Sequence, residues 1–596
     1  MAQTLQTPGV YITEQDASPS SVVPVATAIP AFIGYTQQTI STATQGRDVK
    51  MAPTKITSLK EFEDFFGTGF TQTFTATATT PTLPSSTPPT PPALPANYKT
   101  ASYPCPSLPP APVLNLSLGQ YMLTSGDGAT IDTNLFSLYS AIQLFYLNGG
   151  STCYIVSLGT YAAATATTTP PSPALPLYSG AIATLELEPA PTMLLCPDAL
   201  MYDIDDYNTV MQLMLAHCDK MQSRVALFDV YDGSGAGMSA GEDPSTVTNS
   251  PIDEFRRGVG QNYLNYGIAY FPWVNTTLFS ASNITFLNID HATLTALGKA
   301  LNNEPNPHTS PPTIPLIAVP EWGTPNATLS TNQGVFAEAS ALQSFLNSPS
   351  SITLANLKDA SGNLLTLPQA LVQLNARITD VNNVLTASFP DYALLTAAIA
   401  SYLNTQPVAP AMAGVFTSVD NNTGVWRAPA NVSLTGVTSP AVELNDLLQT
   451  DMNVDAATGK SVNAIRYFQG VGTLVWGART LAGNSQDWRY INVRRTMIFI
   501  EQSVKLAACS YVFAPNNANT WATVKSMISS FLFNIWKQGA LAGSVPADAY
   551  SVAVGLDSTM TGEDILNGLM NITIEVAVAH PAEFIVITFQ QEMQVS

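Results

Sequence analysis

The segment from 7 to 36, TPGVYITEQDASPSSVVPVATAIPAFIGYT, is apolar enough to demand burial, yet Pro24 and Pro30 interrupt it and no helical repeat runs through it. Proline fixes φ and removes a backbone donor, so the segment is confined to extended geometry. Extended backbone carries a donor and an acceptor per residue, and burying them unpaired is costly. The segment therefore needs strand partners supplied from elsewhere. A second stretch has the same need. In NITIEVAVA (571–579), Ile572, Ile574, Val576 and Val578 fall on one face; after His580-Pro581-Ala582 comes EFIVITFQQ, the second strand of a hairpin.

Between these ends the apolar pattern alternates in period. TMLLCPDA (192–199), RVALFDV (224–230) and GIAYFPWV (267–274) have the character of buried strands, with a helix over 205–220 between the first two. Strand, helix, strand at this spacing predicts an α/β fold with a partly parallel sheet. Leu371, Leu374, Ile378, Val381 and Leu385 recur at spacings of three and four, and a second helix over 391–403 follows Pro390, giving a helical hairpin. Its repeat lasts only about two heptads, short for a coiled coil. Further on, Ser439-Pro440 carries a helix-start signal. Val493, Met497, Ile500, Val504 and Tyr511 line one face of a long helix, with Glu501 and Lys505 spaced for an ion pair. Trp521, Val524, Ile528, Phe531 and Ile535 line the next helix, capped by Asn519 or Thr520. Residues 71–113 and 165–176 are Pro/Thr-rich and favour extended surface loops or linkers.

Charged residues make up only 11% of the 596, and the formal charge is −20. A surface with so few charges suits a chain that packs against copies of itself. Residues 461–596 carry 8 Lys/Arg against 9 Asp/Glu, while residues 1–460 carry 14 against 33. That balance argues against nucleic acid as a main ligand. Cys105, Cys153, Cys196, Cys218 and Cys509 show no paired spacing and fit free thiols in a reducing compartment. The opening MAQTLQTPGV has neither the basic nor the apolar region of a secretion signal. The uncharged interval between Asp132 and Glu186 is broken by Gly149-Gly150 and a Thr/Pro tract, so no membrane insertion is expected.

Residues that carry catalysis are scarce. His217, His291, His308 and His580 have no partners at metal-ligand spacing. Asp203, Asp205 and Asp206 in YDIDDY lack the Gly and closing Glu of a calcium loop, and fit the N-terminal charge of a helix. DGSGAGMSAG (232–241) fails both the phosphate-loop and the dinucleotide patterns. Asp198 and Asp229 fall at the C-terminal ends of expected strands, where α/β enzymes keep their sites. They carry the enzymatic alternative, a hydrolase on the middle region. The Thr/Pro tracts suggest a third class, an adhesion module. Neither has a supporting constellation, so no enzyme activity, catalytic residue, cofactor or metal is expected.

Six stretches in order resemble one family. They are TPGVYITE with its continuation to FIGYT, AGVFTSVDNNTGVWRAPAN (413–431), VNAIRYFQGVGTLVWGARTL (462–481), WRYINVRRTMIFIEQSV (488–504), FAPNNANTWATVKSMISSFLFNIWKQGAL (513–541), and TMTGEDILNG with HPAEFIVI. Together these are similar to the tail sheath proteins of contractile phage tails and phage-tail-like injection systems. The resemblance implies an α/β (α+β) fold with an inner domain built from both terminal segments. Residues 1–35 would be an arm joining that domain, 36–125 a variable region with the Pro/Thr-rich insertion, and 126–330 an α/β middle domain. Residues 331–410 would be a helical insertion and 411–596 the inner sheath domain with its terminal strand hairpin.

The resemblance also implies a homo-oligomer: a helical stack of hexameric rings around an inner tube protein, with baseplate and terminal cap proteins as further partners. Contraction would drive the tube through a target envelope. Assembly would take place in the cytoplasm of the producing bacterium, for a phage tail or a released or cell-anchored particle. Arms would exchange strands between copies through Val10, Tyr11 and Ile12 on one side and Ile572, Ile574 and Val576 on the other. Phe584, Ile585, Val586, Ile587 and Phe589 would join the exchange. Pairing of an arm with its own hairpin is the alternative. Lys525 and Lys537, on the polar side of the 520–538 helix, are candidate tube contacts, with ordinary solvated lysines as the alternative.

Overall fold

The run PAFIGYT is apolar without alternation, the pattern of a strand covered on both faces. In the computed structural model it forms such a strand. The structure describes residues 22–78, 113–116, 119–125, 136–165, 175–234, 250–301, 339–340, 342–343, 367–455 and 457–584. Its strands, in chain order, are β1 (Pro30–Thr36), β2 (Thr54–Ile56), β3 (Phe74–Ala78), β4 (Val113–Leu116), β5 (Gly119–Ser125), β6 (Cys153–Thr160), β7 (Met193–Leu195), β8 (Val225–Asp229), β9 (Gly267–Phe271), β10 (Val274–Thr276), β11 (Thr405–Gln406), β12 (Val437–Pro440), β13 (Asn463–Phe468), β14 (Gly472–Trp476), β15 (Tyr550–Ala553) and β16 (Thr573–Val576).

Eight of them form one sheet in the order β14-β13-β9-β8-β7-β1-β6-β2. The neighbours from β13 to β6 run parallel, and β14 and β2 close the two edges antiparallel. Parallel neighbours need crossovers, and helices Leu175–Thr184, Ile204–Met221 and Pro251–Gly258 separate β6, β7, β8 and β9 along the chain. Ala31, Phe32 and Ile33 of β1 are fully buried, and the Phe32 ring meets Phe145 edge-on at 5.5 Å. The predicted α/β pattern over 192–274 is therefore present, with the expected helix at Ile204–Met221 capped by Asp203, which accepts from the Asp206 amide at 2.9 Å.

Two compact units emerge. The larger comprises the described residues of 28–422 and 429–491, including the whole eight-stranded sheet. The expected helical hairpin is there as Leu367–Ser388 and Pro390–Leu403; Ile378, Val381 and Leu385 are buried within this unit. The smaller unit comprises residues 22–27, 423–428 and 492–584. These divisions differ from the ranges drawn on the sequence. Residues 30–36 are a central sheet strand and not part of an arm, and the β13–β14 pair belongs to the larger sheet. The reason is physical: parallel pairing joins strands far apart in sequence, so linear boundaries do not mark contact boundaries. Ser439-Pro440 likewise ends strand β12, and the helix expected there starts at Asp446 with Asn445 as its cap.

Helix Ala409–Thr423 packs so near helix Leu138–Leu147 that a Cβ on Gly414 would lie 2.4 Å from the Phe145 carbonyl oxygen. Replacing a helical glycine by alanine ordinarily gains about 1 kcal/mol, but overpacking against backbone costs roughly 1–3 kcal/mol. Crowding wins here. Gly414→Ala is expected to lower the urea midpoint of unfolding, a net loss of up to about 2 kcal/mol; a raised midpoint would show that the two helices have room to part.

Candidate assembly surface

The smaller unit is built on two amphipathic helices. Helix Ile491–Ala508 is followed by a tight turn at Cys509–Tyr511 and then by helix Ala518–Lys537. Asn517, not Asn519 or Thr520, caps the second helix, accepting from the Thr520 amide at 3.1 Å. Val524, Met527, Ile528, Phe531, Leu532 and Ile535 recur at three and four and form the buried stripe, where Phe499 of the first helix meets Phe531 at 5.9 Å. Glu501 lies 3.7 Å from Arg494, and this ion pair takes the place of the one expected with Lys505.

A two-stranded ribbon packs on this core. β16 pairs antiparallel with β15, Ser551 facing Glu575 and Val552 facing Ile574. One partner of the 571–579 strand is thus 550–553; the second strand of the expected hairpin lies outside the described residues from Ile585 on. Ile572, Ile574, Val576 and Val578 rest half-buried against the helices, while Thr573, Glu575 and Ala577 face outward. That alternation is the one the sequence shows.

One edge of this ribbon has no partner strand among the described residues. Ala577 donates to the Ala549 carbonyl at 2.9 Å and accepts from the Ala542 amide at 2.7 Å; Ala579 donates to the Ala540 carbonyl at 3.1 Å. Backbone groups alternate along an antiparallel strand, so odd-numbered residues turn theirs toward β15 and the 540–542 segment. Ile572, Ile574, Val576 and Val578 turn theirs the other way. No strand among the described residues pairs with that side. An uncovered edge whose own side chains are anchored in a core is a template for another extended segment. Phe584, the last described residue, is 72% exposed. Val10, Tyr11, Ile12, Ile585, Val586, Ile587 and Phe589 lie outside the described residues.

Lys525 and Lys537 are both exposed on helix Ala518–Lys537, and the Lys537 ammonium stands 4.4 Å above the Phe533 ring. Residues that the sequence did not single out lie on the facing side of helix Ile491–Ala508. The Asn492 side chain donates to the carbonyls of Trp426 at 2.9 Å and Ala579 at 3.0 Å. Arg495 donates to the Thr27 carbonyl at 2.9 Å, and Ser503 accepts the Val25 amide at 3.2 Å. The sequence carries no distinguishing signal for them, since the same helix also holds Arg494, Thr496, Glu501, Gln502 and Lys505.

Asp198 and Asp229, the basis of the hydrolase alternative, are committed to backbone. Asp198 accepts the Tyr35 amide on Oδ2 at 2.7 Å and the Leu138 amide on Oδ1 at 2.8 Å, with the Ser137 hydroxyl at 3.3 Å. Asp229 accepts the amides of Val408 and Ala409, at 2.7 and 2.8 Å, both on Oδ1. Chain segments of this protein therefore fill the strand-end positions that an α/β enzyme leaves open. Burial pushes both carboxyls up to about 7, opposed by those amide bonds. His217 is buried beside Arg224, and burial, then the guanidinium, pushes its imidazole down to about 4, so it is neutral at pH 7. Among the described residues no single helix is long and apolar enough to cross a membrane.

The two carboxylates make a pH prediction. Their folded pKa, about 7, exceeds the unfolded value near 4, so between those values the folded chain holds protons that the unfolded chain has released. Their contribution is full below about pH 4 and is lost as pH rises through about 7. Asp229→Asn keeps an oxygen for both amides and is expected to flatten this slope at little cost. Asp198→Asn turns an amide group against a backbone N–H and is expected to cost about 1–3 kcal/mol at pH 5. Urea unfolding at pH 5 and pH 8 separates the two; equal losses would show that the oxygen assignment is not what matters.

Comparison with known proteins bears on this geometry. Residues 484–592 match the family described as the phage tail sheath C-terminal domain. The tail sheath protein of Vibrio phage KVP40 is 28% identical over 138 residues, which is 23% of this chain and 20% of that one. The chain thus matches about a fifth of that relative's length. The PVC sheath complex of an extracellular contractile injection system, in its contracted state, superimposes with a TM-score of 0.52 at 21% identity, covering 99% of each chain. The helical sheath of the anti-feeding prophage, also contracted, gives 0.52 at 22% identity over 99% of this chain and 100% of that one. The open-edged ribbon and its two helices therefore lie in a segment that matches the phage tail sheath C-terminal domain family, and the chain as a whole has the fold of contractile-sheath subunits.

Proposed function

We propose that this chain is the structural subunit of a contractile sheath. It assembles as stacked hexameric rings around an inner tube and shortens to drive that tube through a target envelope. The open outer edge of β16, inside the matched family segment, carries the reading. An edge with its side chains already seated needs only a straight segment from another copy, and each main-chain bond gained contributes a net of about 0.5–1.5 kcal/mol. Residues 9–13 supply Val10, Tyr11 and Ile12 for that purpose, and the stretch from Phe584 through Ile585, Val586, Ile587 and Phe589 supplies a second strand. Several such joins per copy hold a lattice together while its bodies repack.

Lys525 and Lys537 supply cation contacts to the tube, on a helix in the nearly neutral C-terminal part of an acidic chain. The baseplate and a terminal cap close the ends of the stack, which forms in the cytoplasm of the producing bacterium. Asp198 holds a backbone amide on each oxygen and Asp229 holds two on Oδ1, which supports fastening over hydrolysis.

Purified full-length chain is expected to form tubes or polysheaths in negative-stain micrographs. Deleting residues 1–20, or the single change Ile574→Pro, which removes an outward amide from the edge, is expected to leave a soluble form that elutes as a small species. Wild-type chain that stays monomeric at high concentration, or tubes undiminished by the deletion, would refute the exchange of strands between copies.

A further inference from the structure

Helix Ile491–Ala508 buries polar side chains where an ordinary core helix would carry apolar ones. Asn492, Arg495 and Ser503 are 2%, 4% and 0% exposed. Buried polar groups are retained only where each has a bond to make. Each of these three makes at least one bond to the main chain of another segment, and the buried Asn492 Oδ1 has no hydrogen-bond partner among the described residues. Arg495 and Ser503 hold the carbonyl of Thr27 and the amide of Val25, in the stretch that follows residue 21. Asn492 holds the carbonyl of Ala579, whose own amide is fixed to Ala540, and with the same amide group holds Trp426. Spacings of three, eight and eleven along the helix put these side chains within one arc of its surface. A single rigid element thus grips the roots of both terminal stretches, through backbone groups and independently of the stretches' own side chains.

We infer that Asn492, Arg495 and Ser503 form a common anchor for the two arms, delivering pull from neighbouring copies to one helix. The inference rests on the sheath reading above. Cross-bonds perpendicular to an extended segment share a pull along it, and two roots fixed to one helix cannot be drawn apart without moving that helix.

The test uses the full chain with Asn492→Ala, Arg495→Ala and Ser503→Ala, singly and combined. Hydrogen–deuterium exchange is followed over peptides 22–28 and 576–584. Arg495→Ala and Ser503→Ala are expected to speed exchange over 22–28 about tenfold, and Asn492→Ala over 576–584, with 518–537 unchanged. The triple variant is expected to polymerise into tubes that fragment in urea concentrations at which wild-type tubes stay whole, with mean length falling several-fold. Should the triple variant fail to fold, Ser503→Ala, which deletes one oxygen, carries both measurements. Unchanged exchange overturns the anchor, as do variant tubes as long and as resistant as wild type. A wild-type chain that forms no tubes overturns the sheath reading and this role with it; wild-type tubes with equally durable variant tubes overturn this inference alone.

Discussion

Extended backbone that cannot pair with its sequence neighbours governs this structure. β1 finds partners in β6 and β7, more than a hundred residues away along the chain, and its burial on both faces leaves no room for an unpaired amide. The same demand explains the short ribbon of the smaller unit. β16 satisfies one edge with β15, and its other edge has no partner strand among the described residues.

Helix and strand ends pose the same demand in another form, and two carboxylates meet it. Asp198 joins the end of β1 to the start of helix Leu138–Leu147, and Asp229 receives the first amides of helix Ala409–Thr423. Asp198 reaches β1 only because Gly34 has no side chain: a Cβ there would stand 2.6 Å from its Oδ2. An acidic residue at a strand end has two uses in an α/β fold, chemistry or fastening. Full burial among backbone donors selects fastening here.

Much of this was legible in the sequence, in a graded way. Strands 193–195, 225–229 and 267–271 showed as short apolar runs, and the stripe from Val524 to Ile535 showed as a helical repeat, because burial on one face imprints its period directly. Ser439-Pro440 misled, since proline at a strand end and at a helix start leave the same local mark. The β15 partner of β16 was not visible, because YSVA is too short to carry a period. Asn492, Arg495 and Ser503 escaped notice for a different reason. Their value lies in which carbonyl or amide sits opposite, and a linear pattern holds no record of that.

The open side of β16 has an implication for how such a protein can change over time. In the proposed strand exchange, recognition there is by peptide groups, with side chains asked only to alternate in size along a straight segment. Ancestral drift in the docking strand is therefore tolerated so long as it stays straight and proline-free at the bonded positions. Two diverged copies of the gene within one cell would still be able to knit into a common filament, and a cell carrying both would have to keep them apart by timing or by the shape of the bodies, not by the seam.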